Sequence, residues 1–104
     1  MSTRRFDTKD PLEKVKLTFD FTVDLPTGVT LSGTPTVAIT LDRGNDPAPS
    51  SIANGSAGLD ATLKKAIVPV QAGVEANDYR ISVVCSTTDP KIVLELDGVL
   101  PIRS

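Results

Sequence analysis

The chain has 104 residues and a formal net charge of −2, from 11 basic and 13 acidic residues; 39% of it is apolar, 4% aromatic, and it holds no tryptophan and no histidine. That length makes one domain with a core of its own, and the shortage of aromatics makes the core aliphatic and thin. Charges of both signs spread along the chain exclude nucleic acid as the main partner, and the lack of histidine excludes a His-based triad or a His-ligated metal site.

Residues 1–9 are polar apart from Met1 and Phe6 and read as a flexible N-terminal arm ahead of a single domain over residues 10–104. They contain no apolar h-region, so no secretory signal is expected. Phe6 is out of character there. It either tucks back on the edge of the domain or anchors in a neighbouring subunit.

Asp10-Pro11 turns the chain into the domain. Val15, Leu17, Phe19, Phe21 and Val23 then alternate with Lys16, Thr18, Asp20, Thr22 and Asp24, which is the clearest strand in the sequence. Asp20 and Asp24 fall on its outer face, where two carboxylates are expected as solvated charges and not as acid–base or metal groups. Leu25-Pro26-Thr27-Gly28 is a turn. Val29, Leu31 and Gly33 form a short irregular piece, interrupted at Gly33-Thr34-Pro35. Residues 36–42 make the next strand, with Val37, Ile39 and Leu41 inward.

Residues 43–58 are rich in Gly, Pro and small polar residues and read as a long loop. Ile52, its one large apolar residue, marks a short strand or a peg. Asn54-Gly55 has the composition of a tight hairpin turn. Gly55-Ser56-Ala57-Gly58 lacks the Lys-Ser/Thr ending of a phosphate loop. Residues 59–70 read as two short strands, with Ala66, Val68 and Val70 on one face and Pro69 at an edge.

The chain centres on a hairpin over residues 79–96. Tyr79, Ile81, Val83 and Cys85 share one face of its first strand, Thr88-Asp89-Pro90-Lys91 turns, and Ile92, Leu94 and Leu96 share a face of its second. Asp97-Gly98 is a turn or bulge, and residues 99–102 extend the strand or form a last one. Cys85, the only cysteine, is expected as a buried, inert thiol. With no disulfide available, assembly in a reducing compartment is expected. The predicted core is Phe19, Phe21, Ile39, Leu41, Tyr79, Ile81, Val83, Cys85 and Leu94.

Six to eight short strands between Gly, Pro, Asn and Asp turns predict an all-β fold. Its form is an immunoglobulin-like β-sandwich of about seven short strands, with a small β-barrel as the alternative. No apolar run approaches the roughly 20 residues of a membrane helix, and no membrane contact and no cofactor are expected.

Two stretches carry a resemblance. The first is Lys9-Asp10-Pro11-Leu12-Glu13-Lys14-Val15-Lys16-Leu17-Thr18-Phe19-Asp20-Phe21-Thr22, a Lys-Asp-Pro step followed by a strand with an acidic residue between two aromatics. The second is Val74-Glu75-Ala76-Asn77-Asp78-Tyr79-Arg80-Ile81-Ser82-Val83, a loop opening after Gly73 onto Tyr79 and alternating aliphatics. Together they resemble small bacteriophage virion proteins of the fiber–tail adaptor or neck type. The resemblance implies a non-enzymatic structural protein, assembled in the bacterial host cytoplasm and resident in the virion. It would form a homo-oligomeric ring that contacts portal, connector, tail or fiber proteins. On that reading Phe6 and Ile52, isolated in the arm and the long loop, are the candidate subunit contacts. A generic immunoglobulin-like binding module for carbohydrate or a surface receptor, and a capsid decoration protein, are the alternatives. An enzyme is the least favoured class, since scattered carboxylates and one inward cysteine assemble no catalytic set.

Overall fold

The computed structural model describes residues 3–104, with side chains from residue 5 onward. It holds seven strands, β1 Thr3–Arg5, β2 Val15–Asp20, β3 Leu31–Arg43, β4 Gly58–Leu59, β5 Lys65–Val70, β6 Asp78–Thr87 and β7 Val93–Pro101. They form one sheet in the order β1-β7-β6-β3 and another in the order β2-β5-β4. Only β1 on β7 is parallel; the other neighbours are antiparallel. Both sheets are open, so the fold is the sandwich and not the closed barrel. The order matches an immunoglobulin-like arrangement, with β2, β5 and β4 in one layer and β3, β6 and β7 in the other.

The period-2 patterns explain the layers. On β6, Tyr79, Ile81, Val83 and Cys85 are all essentially inaccessible, facing Leu17, Phe19, Ala66, Val68 and Val70 across the sandwich. The hairpin register sets Cys85 opposite Leu94, Val83 opposite Leu96 and Tyr79 opposite Leu100. Gly98 stands opposite Ile81 inside β7 and makes no turn. A methyl group there would lie 2.3 Å from Phe6 Cε2 and 3.2 Å from Phe19 Cε2. Glycine at 98 is therefore the seat of two aromatic rings.

Tyr79 closes the corner between β5 and β6. Its hydroxyl accepts from the Val74 amide at 3.0 Å and donates to Asp46 Oδ2 at 2.6 Å. This is the tyrosine corner that immunoglobulin-like sandwiches place at the start of the equivalent strand.

Several expectations are corrected. Residues 3–9 are not a free arm. β1 pairs with residues 97–99, Phe6 N–H donates to Val99 O at 2.9 Å and Lys9 N–H to Pro101 O at 2.9 Å. Polar side chains do not stop a segment from completing a sheet through its backbone; Met1 and Ser2 lie outside the described residues. The first long strand stops at Asp20, whose Oδ1 accepts from the Thr22 amide at 2.9 Å and the Thr22 hydroxyl at 2.5 Å. That starts a 3-10 turn at Thr22–Asp24 and turns Val23 out to 96% exposure. β3 is longer than expected because the pairing resumes across the irregularity between Ser32 and Thr36. Ile39 and Leu41 face the core but are half-buried because β3 lies at a sheet edge; Leu94 is half-buried too, on the part of β7 that β1, paired only with residues 97–99, does not cover.

Candidate interaction surface

The groups that could carry chemistry are dispersed. Asp20 is engaged with Thr22, and Asp24 sits in the 3-10 turn and not on a shared strand face. Among the described residues no group of three or more His, Cys, Asp or Glu could hold a metal ion. Cys85 is enclosed, and burial pushes its thiol up to about 11.

At one end of the sandwich three loops are stitched together. Phe21 N–H donates to Lys64 O at 2.9 Å, Leu31 N–H to Leu63 O at 2.8 Å, and Thr88 N–H to Thr30 O at 2.9 Å. Asp60 organises the turn between β4 and β5. It accepts from the Thr62 hydroxyl at 2.5 Å and from the Lys65 and Lys64 amides at 3.0 and 3.1 Å. The Thr62 hydroxyl leads these bonds in holding the Asp60 carboxyl down at about 2. The turn forces Leu63 into the left-handed region, φ 59°, a conformation a side chain disfavours. Leu63, 42% exposed, and Val23 stand out from this end, beside a cleft of about 370 Å³ lined by Leu25, Pro26, Val29 and Lys64. In immunoglobulin-like sandwiches loops cluster at the two ends, and in variable domains one such cluster binds.

The opposite end is braced. Lys9, only 2% exposed, donates from Nζ to Asp10 O at 2.8 Å and Ala72 O at 2.5 Å. Burial lowers its pKa, and Glu13 and Asp10 oppose that shift. Asp78 is gripped by Arg103 at 2.8 Å, with Arg5 at 3.7 Å. The Asn77 amide accepts from Asn45 N–H at 3.2 Å and donates to Asn45 O at 3.1 Å. These bonds satisfy the polar groups of the closing loops and tie both terminal segments to β6.

The two candidate contact residues lie elsewhere than expected. Ile52 ends a 3-10 turn, Pro49–Ile52, and is wholly buried in the chain's own core, so it offers no surface to a neighbour. Phe6 is half-buried, with its ring edge-on to Phe19 at a centroid distance of 5.2 Å and 75° between planes. It belongs to the sandwich, as the first of its two sequence readings had it. The exposed large apolar groups among the described residues are instead Val23 and Leu63 at the loop end, Val93 at the start of β7, and Leu12 and Val74 beside the braced end. Alternation assigned Val23 inward, and residues 59–70, read as two short strands, gave no sign that Leu63 would stand out in a turn. The one available signal was Asp20 followed two residues later by Thr22, a side-chain-to-backbone turn pattern that ends strands.

Comparison with protein-family models, with curated proteins and with solved structures finds no match.

Proposed function

We infer that the chain is a non-enzymatic structural protein of a bacteriophage virion, of the fiber–tail adaptor or neck type. It joins portal, connector, tail or fiber proteins by protein–protein contacts. The observation that carries this reading is the meeting of the two stretches on which the resemblance rests. Lys9, from the Lys-Asp-Pro step, is buried with its amine on the Ala72 carbonyl, next to the loop that Tyr79 fastens through Val74. The two stretches also share one core, Leu17, Phe19 and Phe21 of the first with Tyr79, Ile81 and Val83 of the second. The loop end, with Val23 and Leu63 exposed, supplies a surface for a protein neighbour, and the braced end a fixed base for it.

The test is made on particles from a phage encoding the chain. Mass spectrometry of purified virions should detect it at several copies per particle, and a low-resolution map should place it as a ring near the head–tail junction or the fibers. Disrupting its gene should give particles lacking tails or fibers. Complete, infective particles free of the chain would overturn the reading. A binding module for a surface receptor is the second reading, favoured by the same exposed loop end; it requires a folded monomer or dimer outside the particle.

A further inference from the structure

The sandwich has four sheet edges, and three are poor templates for another strand. β4 is two residues long, β1 is three and carries Arg5, and β2 alternates with Lys16 and Asp20. Charged side chains and short length are the usual protections of an edge. The fourth edge, β3, has such protections only towards its ends, Pro35 and the irregularity between Ser32 and Thr36 at one and Asp42 and Arg43 at the other. It runs for 13 residues, and residues 36–41, Thr-Val-Ala-Ile-Thr-Leu, carry no charge. The neighbouring loop does not take up this edge. Its backbone bonds run to itself and to the segment at β5, with Ser51 N–H on Ala48 O, Ala53 N–H on Ser50 O, Asn54 N–H on Pro69 O and Gln71 N–H on Ile52 O. A groove of about 260 Å³ stays open there, between Thr34, Val37 and Ile39 on one side and Ser50, Ala53 and Ala57 on the other. Val37, Ile39 and Leu41 remain half-buried for the same reason, while their β6 neighbours Val83, Ile81 and Tyr79 are enclosed.

We propose that β3 pairs antiparallel with β3 of a second copy, about a two-fold axis at Ala38, joining two four-stranded sheets into one. The sequence is self-complementary in that register. Val37 stands opposite Ile39 on the core side, Thr36 opposite Thr40 on the outer side, and Pro35 opposite Leu41. Cross-strand aliphatic and Thr–Thr pairs are the favourable kind. The charges at the end of the strand are kept apart, because Asp42 faces Thr34 and Arg43 faces Gly33 of the second copy. Two Asp42 carboxylates then lie about 27 Å apart, at roughly 3.4 Å per residue, beyond the Debye length at physiological salt. The contact is isologous and closes as a pair. It does not depend on the virion reading, and a ring made from such pairs would use a second surface.

The test uses the whole chain. Sedimentation over a concentration series should show the 11.0 kDa chain doubling in mass. Ala38→Cys, oxidised, should give a disulfide-linked dimer, since directly opposed residues lie about 4.5–5.5 Å apart, within disulfide reach. Ser86→Cys, on the same exposed face but off the axis, should not. Ala38→Lys should weaken the pair at least tenfold with an unchanged far-UV spectrum. Thr40→Glu, also at an exposed position, should act in the same way. A wild-type chain that stays monomeric up to about 1 mM, the weak end of specific association, would overturn the proposal. So would equal cross-linking of the two cysteine variants, or unchanged mass in the charged ones.

Discussion

Single side chains set the sharpest limits on this fold. Phe19 is fully enclosed and holds Phe6 edge-on, so Phe19→Ala removes a large core group and the aromatic seat of β1 together. The expected loss is about 3–5 kcal/mol, read from urea unfolding. Cys85 gives a second outcome. Its thiol is held protonated by burial, with its pKa raised from 9.0 to about 11. A raised value means that the folded state keeps the proton more firmly than the unfolded chain. Its contribution to stability is complete below pH 9 and falls away as pH rises through about 11. The stability gap between wild type and Cys85→Ala should narrow over that window. At pH 8 the native thiol should react with a thiol reagent far more slowly than the denatured one. At this scale the sequence was most legible where a residue's face follows from alternation within a central strand, as at Tyr79, Ile81, Val83 and Cys85. It misled at Val23, because the carboxylate of Asp20 captures Thr22 and ends the alternation before that position.

At the level of elements, the hairpin of β6 and β7 could be read directly because two period-2 runs flank a short turn. β1 could not, since a parallel pairing across more than ninety residues leaves no periodicity in a segment this short. Nor could the role of Gly98, which looks like turn chemistry in sequence and acts as a gap for rings in space. Gly98→Ala should force Phe6 off Phe19 and destabilise the chain by roughly 1–3 kcal/mol. Thermal melts should show the loss, and Phe6→Ala in the same background should recover part of it by removing the clash. Deleting residues 1–8 should likewise lower stability, by about 2 kcal/mol for the lost Phe6 burial, while the far-UV spectrum stays that of a sandwich. An unchanged urea midpoint in the truncated chain would show that β1 adds nothing to the fold.

For the molecule as a whole, the division between a braced end and a loop end organises stability and surface. Arg103 comes from the last residues of the chain and closes on Asp78 at the start of β6. Arg103→Ala leaves that enclosed carboxylate with Arg5 at 3.7 Å as its remaining ion-pair partner, and should cost roughly 1–3 kcal/mol. Hydrogen exchange should show the loss concentrated in residues 71–78 and the ends of β6 and β7. Little of this end was visible in the sequence. Lys9, Asn77 and Asp78 are ordinary loop residues by composition, and only the topology that gathers them explains their burial. The loop end was hidden for the opposite reason, since exposed apolar residues there look like core residues until the strand ends are known.

The parallel seating of β1 on β7 also has a mechanical side. Force applied through Thr3 and Ser104 would act along the strand direction, across bonds that lie transverse to it. The bonds from Phe6 to Val99, from Lys9 to Pro101 and from Arg103 to Lys9 would be loaded side by side. Such a clasp has to shear as a unit before the sheet can extend, whereas a terminal hairpin peels open one bond at a time. Stretched between neighbours, this sandwich should behave as a stiff link that gives way abruptly.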